Sequence, residues 1–543
     1  SKENVYEKMG ISIDTLSNLN QVTFKINGIV IDENRQLNPL GNTHDYNTYP
    51  NLNEIGFSVA AGEKAIFENI AIHNPGPYSE GILFGEKIGA TYDIFKGLDG
   101  VHVEEDGRII VGGNQDILVF SNPSYGSAPM LRTEFKAEKK IEKARLYVTA
   151  QGIYEMWING EKISDHWFNP GNSEYRERIA YHTYDVKELL NSESKNAIAV
   201  QLAEGWWSGY QTFIVHNYNF YGDRQAFMAK LVIEYTDKTV ETIVTDEDNW
   251  SYYGNGPVEY GSFFQGERYN ANKEVFGWMN VDFDHKGWRK AVEIPTESAF
   301  DKYTFMTRLD EPITVINTIV SKSVQKSSEH KDFDGNHSYI YDMGENVLGV
   351  PHIEIPEGVL KAGQQLIIRY AEILYPSHLK EYQEAGIANM MMVENYRAAL
   401  STDFYTAKGC EAVVIEPHRT YHGFRFIEIS GLSEPLPLEY VKTYLLSSIK
   451  LSSTYESSNP LVNRLYKNVQ NSQNSNFISL PTDCPQRNER LGWTGDAQVF
   501  SMAATYNADV YNFYRQWLYT LRDSQFNTGA LPVFAPSYIL PDQ

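Results

Sequence analysis

Cysteine is nearly absent from this chain, which contains only Cys410 and Cys484 among its 543 residues. Two cysteines are too few for a disulfide framework or for a metal centre built on thiolates. No histidine stands near Cys484 in the sequence, so a nucleophilic thiol is not predicted there. We expect Cys484 to pack as a small, buried, apolar side chain.

The chain also lacks any run of 18 apolar residues and any visible signal peptide. No membrane-spanning helix is predicted, and the cytoplasm is the expected location. Basic residues are in the minority, because 47 lysines and arginines stand against 70 aspartates and glutamates, which leaves a net charge of −23. This charge disfavours nucleic acid, an anionic membrane surface and a strongly acidic polymer as partners. A neutral sugar suits it better.

Short alternating segments separated by turn residues fill the chain between about residues 20 and 440, a pattern typical of β-sandwiches and jelly rolls. Near Leu451 the period changes, because Leu461, Leu465 and Val469 recur at four-residue steps and predict a helix over 460–478. We predict four domains: 1–135, a β-rich module; 136–300, a jelly roll; 301–450, a β-sandwich; and 451–543, a helical region.

The stretch from Asp483 to Asp496, DCPQRNERLGWTGD, brings three acidic residues, two arginines and a tryptophan close together. One proline and two glycines within it disfavour a regular helix. The residues that follow predict helices over 496–508, with Asp496 as the N-cap, and over 510–525. The stretch is therefore predicted to be a shaped loop that leads into a helix, a kind of segment that often carries function.

The residue types in this loop suit sugar chemistry. Glycoside hydrolysis needs a carboxylic acid to protonate the leaving oxygen, together with groups that bind hydroxyls and an aromatic face for the sugar ring. Glu489 and Trp493, with Asp483 and Asp496 on either side, supply these groups. In the alternative interpretation Asp496 only caps a helix, Trp493 only packs in the core, and the arginines only pair with the acids. The residue types alone leave both interpretations open.

The same loop resembles the signature of the bacterial α-L-rhamnosidases of glycoside hydrolase family 78, which runs Asp-Cys-Pro-x-Arg, Glu-Arg, Gly-Trp and Gly-Asp. Every position of that motif is matched between Asp483 and Asp496. Segments upstream resemble the family's N-terminal jelly-roll domain at 152–155, 159–160, 169–171, 184–186 and 205–207, and its β-domain before the barrel at 342–349 and 421–425.

The resemblance implies inverting hydrolysis of terminal, non-reducing α-L-rhamnosides on an (α/α)6 barrel, of which 451–543 is the start. It implies that Glu489 is the general acid, which must carry a proton, and that Asp483, Arg487, Trp493 and Asp496 bind the rhamnose. No cofactor and no metal are expected, with calcium in the jelly-roll domain left open. The expected partner is a rhamnose-containing glycoside or oligosaccharide, and a homodimer is left open.

The general base departs from the family's pattern. The resemblance places it on a second glutamate late in the barrel, whereas no glutamate occurs between Arg490 and Gln543. Only about three or four helices fit after Leu451, and twelve helices would need roughly 190 residues. We therefore expect this chain to be the front portion of a larger enzyme and to be inactive alone.

Two other functions are left open, an exo-glycosidase of the same architecture for another sugar and a carbohydrate-binding protein with a degenerate barrel. Oxygen ligands of the kind that calcium uses occur at Asn159, Asp165 and Asn169, although Asn159 with the following glycine is first of all a hairpin signal. Structural roles are predicted for His418 and His422, and core positions for the tryptophan pair at 206 and 207.

Overall fold

The computed structural model describes residues 128–538, apart from 210, 214–219, 223–224, 255, 294–303, 328–336 and 398. Before residue 128 it describes 9–16, 21–36, 55–60, 62–68, 72–73, 82–84, 101–104, 108–112 and 117–121. The strands of these N-terminal pieces pair in four small antiparallel sheets: Ile11–Leu16, Gln21–Ile26 and Ile29–Gln36; Ile55–Val59 and Ile117–Ser121; Lys64–Phe67, Ile109–Gly112 and Val101–Val103; and Ile72–His73 with Ile82–Phe84. The rest of the predicted module 1–135 lies largely outside the described residues.

Two sheets then share one apolar core. Strand Ile141–Gln151 shows why, because Leu146 and Val148 are buried while Tyr147 between them is exposed, as a strand with one covered face requires. In spatial order, the first sheet contains Glu161–Lys162, Ile153–Ile158, Lys195–Ala203, Met130–Lys136, Ser251–Tyr253 and Arg289–Lys290, and the second contains Val240–Val244, Ala226–Tyr235, Ile141–Gln151, Arg178–Asp185 and Thr304–Thr307.

A ten-stranded sheet with its own core follows. Its 19-residue strand His337–Ile355 changes register between Asp342 and Val347, and such an irregularity bends a strand and curls its sheet. Along the sheet lie Val258–Ser262, Gly266–Asn270, Thr402–Thr406, Gln365–Ala371, His422–Leu432, His337–Ile355, Val441–Ser447 and Thr314–Val320, with Ser323–Lys326 and Val413–Ile415 also paired to the long strand. Val258–Ser262 and Gly266–Asn270, which lie within the predicted jelly roll 136–300, join this sheet. The domain boundaries at 300 and 450 stay predictions.

The helices are few among the described residues. The α-helices are Lys380–Glu384, Pro460–Asn476, Thr494–Asn507 and Tyr511–Asp523; the short 3-10 helices are Lys187–Leu189, Ala271–Lys273, Glu394–Tyr396 and Leu438–Tyr440; and two strand pairs are Ile373–Leu374 with Met391–Met392 and Phe477–Ile478 with Leu480–Pro481. No helix in the described part of the chain is long and apolar enough to cross a membrane.

Helix Pro460–Asn476 begins where the sequence indicates. The Asn459 side chain accepts a hydrogen bond from the Leu461 amide at 3.0 Å, and a proline stands in the first turn, both favourable at a helix start. Its end is two residues earlier than predicted, since Phe477–Ile478 pairs as a strand. Leu461 and Leu465, whose spacing predicts the helix, are exposed. The described residues leave this apolar face uncovered.

The predicted N-cap at Asp496 is wrong. Helix Thr494–Asn507 starts two residues earlier, with Trp493 in the capping position and no side-chain cap bond. The bond from the Thr494 amide to the Val533 carbonyl, at 2.9 Å, ties the start of the helix to a segment far along the chain. Asp496 therefore lies inside the first helical turn, where its negative charge interacts favourably with the helix dipole.

An apolar seam joins the two-sheet part, the ten-stranded sheet and the helical segment. Its buried members include aromatic residues from all three parts, and the tryptophan pair predicted for the core lies in it. Burial of each large side chain stabilises the fold by about 1.5–3 kcal/mol. The seam is formed by Trp167, Phe168, Trp206, Trp207, Phe263, Tyr421, Ile478, Leu491, Phe534 and Tyr538, among others. It seats the helical segment on both β-regions.

A charged network lies between the two-sheet part and the ten-stranded sheet. His418 contacts Glu155 through Nδ1 at 2.7 Å and Glu416 through Nε2 at 3.0 Å. Burial by itself lowers the pKa of His418, but the two carboxylates outweigh it and raise the pKa from 6.5 to about 9. In the same network, Arg419 and Lys162 form ion pairs with Glu155, and His352 contacts Glu416. The predicted structural role of His418 is consistent with these contacts.

We expect the unfolding temperature to fall as the pH rises from 6.5 to about 9. A histidine whose pKa is raised on folding stabilises the folded state fully below its unfolded pKa, and this contribution is lost as the pH rises through the folded value. Glu267, whose pKa burial raises to about 7, acts in the same direction. Scanning calorimetry of the natural protein and of His418→Gln at several pH values measures how much His418 contributes to the fall in unfolding temperature. His378→Gln, at an exposed position, is the control. If the unfolding temperature falls equally steeply with pH in the natural protein and in His418→Gln, the contribution assigned to His418 is wrong.

Candidate active site

The loop between strand Leu480–Pro481 and helix Thr494–Asn507 is closed on itself. The Asp483 amide donates to the Leu491 carbonyl at 3.1 Å, and the Leu491 amide donates back to Asp483 Oδ1 at 2.9 Å. The Glu489 amide bonds to the Arg487 carbonyl at 2.8 Å within the closed loop. Asp483, Arg487 and Glu489 are therefore held in one compact turn.

Arg490 fixes this loop to the ten-stranded sheet. It is 5 % exposed, and its guanidinium donates to the carbonyls of Phe263 at 2.6 Å, Tyr421 at 3.2 Å, Gln486 at 3.2 Å and Arg487 at 3.2 Å. Its charge also lies over the Tyr421 ring at 4.5 Å, a favourable cation–π distance. No carboxylate among the described residues pairs with it, so its role is to satisfy backbone groups and not to neutralise the acids.

The strand beneath the loop needs a glycine. A Cβ at Gly423 would lie 2.9 Å from Pro485 Cγ and 3.0 Å from the Gln486 amide nitrogen. Real Cβ atoms rarely or never make contacts this short, so a larger residue there would push the loop outward. Strand His422–Leu432 thus sets the depth at which the loop sits.

Glu489 is 7 % exposed and carries two guanidinium groups on the same oxygen. Arg487 Nη2 lies 2.9 Å and Arg397 Nη1 lies 3.0 Å from Oε2. The other oxygen, Oε1, accepts no hydrogen bond from the described residues. A carboxyl group held in this way is fixed in orientation by Oε2 and keeps Oε1 for a ligand.

Arg397 is a residue that the sequence did not indicate. It is 92 positions from Glu489 and follows the short helix Glu394–Tyr396 with φ of 58°. That conformation is uncommon for a residue with a side chain and clusters at functional sites. No local pattern in the sequence marks it.

Asp483 and Cys484 complete the buried group. Burial raises the pKa of Asp483, and the nearby charge of Glu489 acts in the same direction against hydrogen bonds from Cys484 and Leu491. Burial and the Asp483 carboxylate raise the pKa of Cys484 to about 12, which keeps the thiol protonated, and its burial agrees with the prediction.

Donor atoms of Asp483, Cys484 and Glu489 lie within 4.8 Å of one another. A protonated thiol and two carboxylates already contacted by arginine make a poor ligand set for a cation.

Trp493 and Asp496 are placed differently from these residues. Trp493 is half-buried and its ring packs against Phe534, with centroids 5.3 Å apart. Asp496 is exposed on the first turn of its helix. Neither side chain contacts Asp483, Arg487 or Glu489 through a hydrogen bond or ion pair among the described residues. The structure brings together three of the five predicted site residues, and the role of each of the five stays a prediction.

The loop contains buried polar atoms that have no hydrogen-bond partner among the described protein atoms. They are Gln486 Oε1, Arg487 Nε and Asn488 Oδ1. Buried polar groups are almost always hydrogen-bonded, so these atoms require water or a polar ligand. Donors and acceptors from three successive residues suit a ligand rich in hydroxyl groups.

The three residues with calcium-type oxygen atoms, Asn159, Asp165 and Asn169, have different partners in the structure. The Asn159 side-chain nitrogen donates to the Leu189 carbonyl and to Asn196 Oδ1, and its Oδ1 accepts from the Ala197 amide. The Asn169 amide donates to the Tyr184 hydroxyl, and Asp165 is almost fully exposed, with His166 as its ion-pair partner. Asn159 has φ of 52° and the next glycine 85°, the geometry of a tight hairpin turn. The hairpin interpretation therefore accounts for Asn159.

A serine, a histidine and an aspartate meet beneath the loop, although the sequence showed no triad. His422 contacts Ser401 Oγ through Nδ1 at 3.0 Å and Asp403 Oδ2 through Nε2 at 3.0 Å, and Tyr370 also donates to Asp403. All three triad-like residues are at most 2 % exposed, so no substrate reaches the hydroxyl. The network supports the strand under the loop and agrees with the structural role predicted for His422.

Three domain families match the chain in order. Residues 139–317 match the α-L-rhamnosidase N-terminal domain, 334–447 the bacterial α-L-rhamnosidase concanavalin-like domain, and 450–543 the bacterial α-L-rhamnosidase six-hairpin glycosidase domain. The chain belongs to the bacterial α-L-rhamnosidase family. The resemblance seen in the motif is thereby confirmed.

Individual α-L-rhamnosidases are similar over most of this chain. That of Alteromonas sp. (strain LOR) is 34 % identical over 77 % of this chain and 42 % of its own length. One from Formosa agariphila is 33 % identical over 81 % of this chain and 44 % of its own length. The chain thus spans less than half the length of the curated relatives it matches.

Solved α-L-rhamnosidase structures agree with the fold. The Streptomyces avermitilis enzyme complexed with L-rhamnose superposes with a TM-score of 0.70 at 27 % identity, over 81 % of this chain and 46 % of that chain. The structure from Dictyoglumus thermophilum gives a TM-score of 0.67 at 33 % identity, over 78 % of this chain and 44 % of that chain. This chain is multidomain and mostly β, with few helices among its described residues, and about four fifths of it superposes on these structures.

Proposed function

We propose that the complete protein hydrolyses terminal, non-reducing α-L-rhamnosides of glycosides or polysaccharides, with inversion at the anomeric carbon. The observation that carries this proposal is the arrangement of Glu489, a buried carboxyl group held on Oε2 by two arginines with Oε1 left for a ligand. It lies in a loop that matches the family's motif at every position. Membership of the α-L-rhamnosidase family supports the choice of sugar.

In the proposed reaction Glu489 donates a proton from Oε1 to the glycosidic oxygen. The bond between the anomeric carbon and that oxygen breaks, and the leaving group departs as a neutral alcohol. Arg487 and Arg397 keep the carboxyl group in place during the transfer. A water molecule attacks the anomeric carbon from the opposite face and loses a proton to a general base about 6.5–9.5 Å from the acid. No residue of this loop is assigned that role.

The rhamnose itself is proposed to bind Asp483, Arg487, Trp493 and Asp496. Support comes from the unpartnered polar atoms of Gln486, Arg487 and Asn488, which suit hydroxyl groups, and from the half-buried Trp493 ring. An aromatic face against the C–H side of a pyranose is a common mode of sugar binding.

The finer architecture is part of the same proposal. The two-sheet part is proposed to be a jelly roll, and 451–543 to be the start of an (α/α)6 barrel. Supporting this, helix residues Leu461, Leu465, Val499 and Met502 are apolar and exposed, as expected for a face that packs against further helices. A homodimer and a cytoplasmic location stay predictions from the sequence.

The test is rhamnose release from an aryl α-L-rhamnoside by the full-length natural protein, set against a panel of other aryl glycosides. Activity confined to the rhamnoside, with the β-anomer of rhamnose as the first product by NMR, supports the proposal. Activity on a different sugar would assign another exo-glycosidase of this architecture. Binding of rhamnose without hydrolysis of any glycoside would assign a carbohydrate-binding protein.

A further inference from the structure

Phe213 is an unusual aromatic residue in its surroundings. It lies between strands Lys195–Ala203 and Ala226–Tyr235 of the two-sheet part, in the same connection as Trp206, Trp207 and Tyr221, which are buried in the seam. Phe213 is 45 % exposed. Its exposure is not explained by the core that surrounds its neighbours.

The ring of Phe213 lies against the arginine that holds the acid. Its centroid is 5.6 Å from the guanidinium carbon of Arg397, and Arg397 Nη1 is 3.0 Å from Glu489 Oε2. With the carbon–nitrogen bond between them, the ring centre lies within about 10 Å of the acid. A sugar or aryl group attached to the scissile oxygen is large enough to reach the Phe213 ring from the acid.

The contact joins three separate parts of the chain. Phe213 comes from the two-sheet part, Arg397 follows the short helix Glu394–Tyr396 beside the ten-stranded sheet, and Glu489 belongs to the loop before helix Thr494–Asn507. The residues proposed to bind rhamnose all lie within 483–496. Phe213 therefore adds an aromatic face to the site from a region that the motif does not include.

We propose that Phe213 forms the leaving-group subsite, where its ring stacks on the apolar face of the sugar or aryl group released from rhamnose. Arg397 is a positioning residue that holds both this ring and the Glu489 carboxyl group. The inference rests on the proposed glycosidase function and extends it to the side of the substrate that leaves. Stacking of this kind favours flat leaving groups with an apolar face over small, flexible alcohols.

The test uses the full-length protein with Phe213→Leu, which keeps an apolar side chain but removes the flat face, and Phe213→Tyr, which keeps the face. Three substrates are compared: an aryl rhamnoside, a rhamnosyl disaccharide and methyl rhamnoside. We expect Phe213→Leu to raise KM for the first two about five- to tenfold, with Phe213→Tyr close to the natural protein. KM for methyl rhamnoside and the inhibition constant of free rhamnose stay unchanged.

A matched control is Phe276→Leu, because Phe276 is also an exposed phenylalanine over a cation, in this case Lys408 at 4.4 Å. It leaves every KM unchanged in our proposal. An effect of Phe213→Leu on the aryl substrate alone assigns the subsite to aryl leaving groups, and an effect on the disaccharide alone assigns it to sugars.

Two results overturn the proposal while the proposed function stands. The first is a natural enzyme that releases rhamnose and a Phe213→Leu variant with the same KM for all three substrates. The second is an equal loss of affinity for free rhamnose, which would place Phe213 in the rhamnose pocket. A natural protein that hydrolyses no rhamnoside overturns the proposed function itself, and this subsite with it.

Discussion

Glu489→Gln is expected to lower kcat for rhamnosides with poor leaving groups by about 10²–10⁴-fold, the usual contribution of a general acid. Glutamine has nearly the same shape, and its oxygen can still accept hydrogen bonds from Arg397 and Arg487, but the NH2 group at the Oε1 position carries no acidic proton to transfer. Substrates with strongly acidic leaving groups need little protonation and should lose far less activity. Measurement of kcat against leaving-group pKa for both proteins checks this, as a steeper dependence in the variant.

A second readout separates acid catalysis from structural support. The affinity for free rhamnose, measured by titration calorimetry, should change little in Glu489→Gln. The matched control is Glu428→Gln, since Glu428 is also a buried glutamate paired with an arginine, Arg369, but lies in the ten-stranded sheet. That control should lower stability without steepening the leaving-group dependence. Loss of rhamnose affinity in Glu489→Gln, with all substrates slowed alike, would mean that the carboxylate mainly holds the loop.

Arg490→Met should be the most destabilising substitution in the loop, with a loss of about 3–5 kcal/mol in the free energy of unfolding. Methionine fills much of the same space but removes the guanidinium donor from four carbonyl groups, those of Phe263, Tyr421, Gln486 and Arg487. Among the described residues, only the Arg487 carbonyl keeps a second donor in the loop, the Glu489 amide. Buried carbonyl groups that lose a charged donor bear the full cost of their desolvation. Denaturant titration measures the loss for the whole domain.

Hydrogen exchange over 483–491 locates the Arg490 effect, because those amides should exchange much faster in the variant than in the natural protein. Arg464→Met, at an exposed position on helix Pro460–Asn476, is the control and should change stability by no more than about 0.5 kcal/mol. If Arg490→Met costs as little as the control, the four carbonyl groups must find other donors, and the anchoring role assigned to Arg490 is wrong.

The acids and one arginine of the site were predictable because they are neighbours in the chain. Asp483, Arg487 and Glu489 lie within seven positions, and a loop interrupted by proline and glycine necessarily keeps such residues close. The burial of Cys484 and the helices after the loop follow from similarly local preferences. The N-cap was misassigned because the Thr494 amide bonds to Val533, a contact that no local pattern encodes.

Arg397, Phe213 and the anchoring role of Arg490 were not predictable from the sequence. Each depends on contacts between segments far apart in the chain, such as the 92 positions between Arg397 and Glu489 or the 227 between Arg490 and Phe263. From the sequence alone, Arg490, which lies near acidic residues, is interpreted as an ion-pair partner. Only the packing of the loop on the sheet shows that Arg490 faces carbonyl groups instead.

The sequence by itself determined the β-rich character of most of the chain, the change to helices near residue 451, the family and the identity of the candidate acid. These properties follow from side-chain periodicity and from a contiguous motif, both of which are local in the chain. The tertiary structure decided which oxygen of Glu489 is held and which is left for a ligand, and it added Arg397 and Phe213 to the site. The reason is physical: hydrogen-bond geometry and ring contacts depend on distances in space, and long-range packing sets those distances.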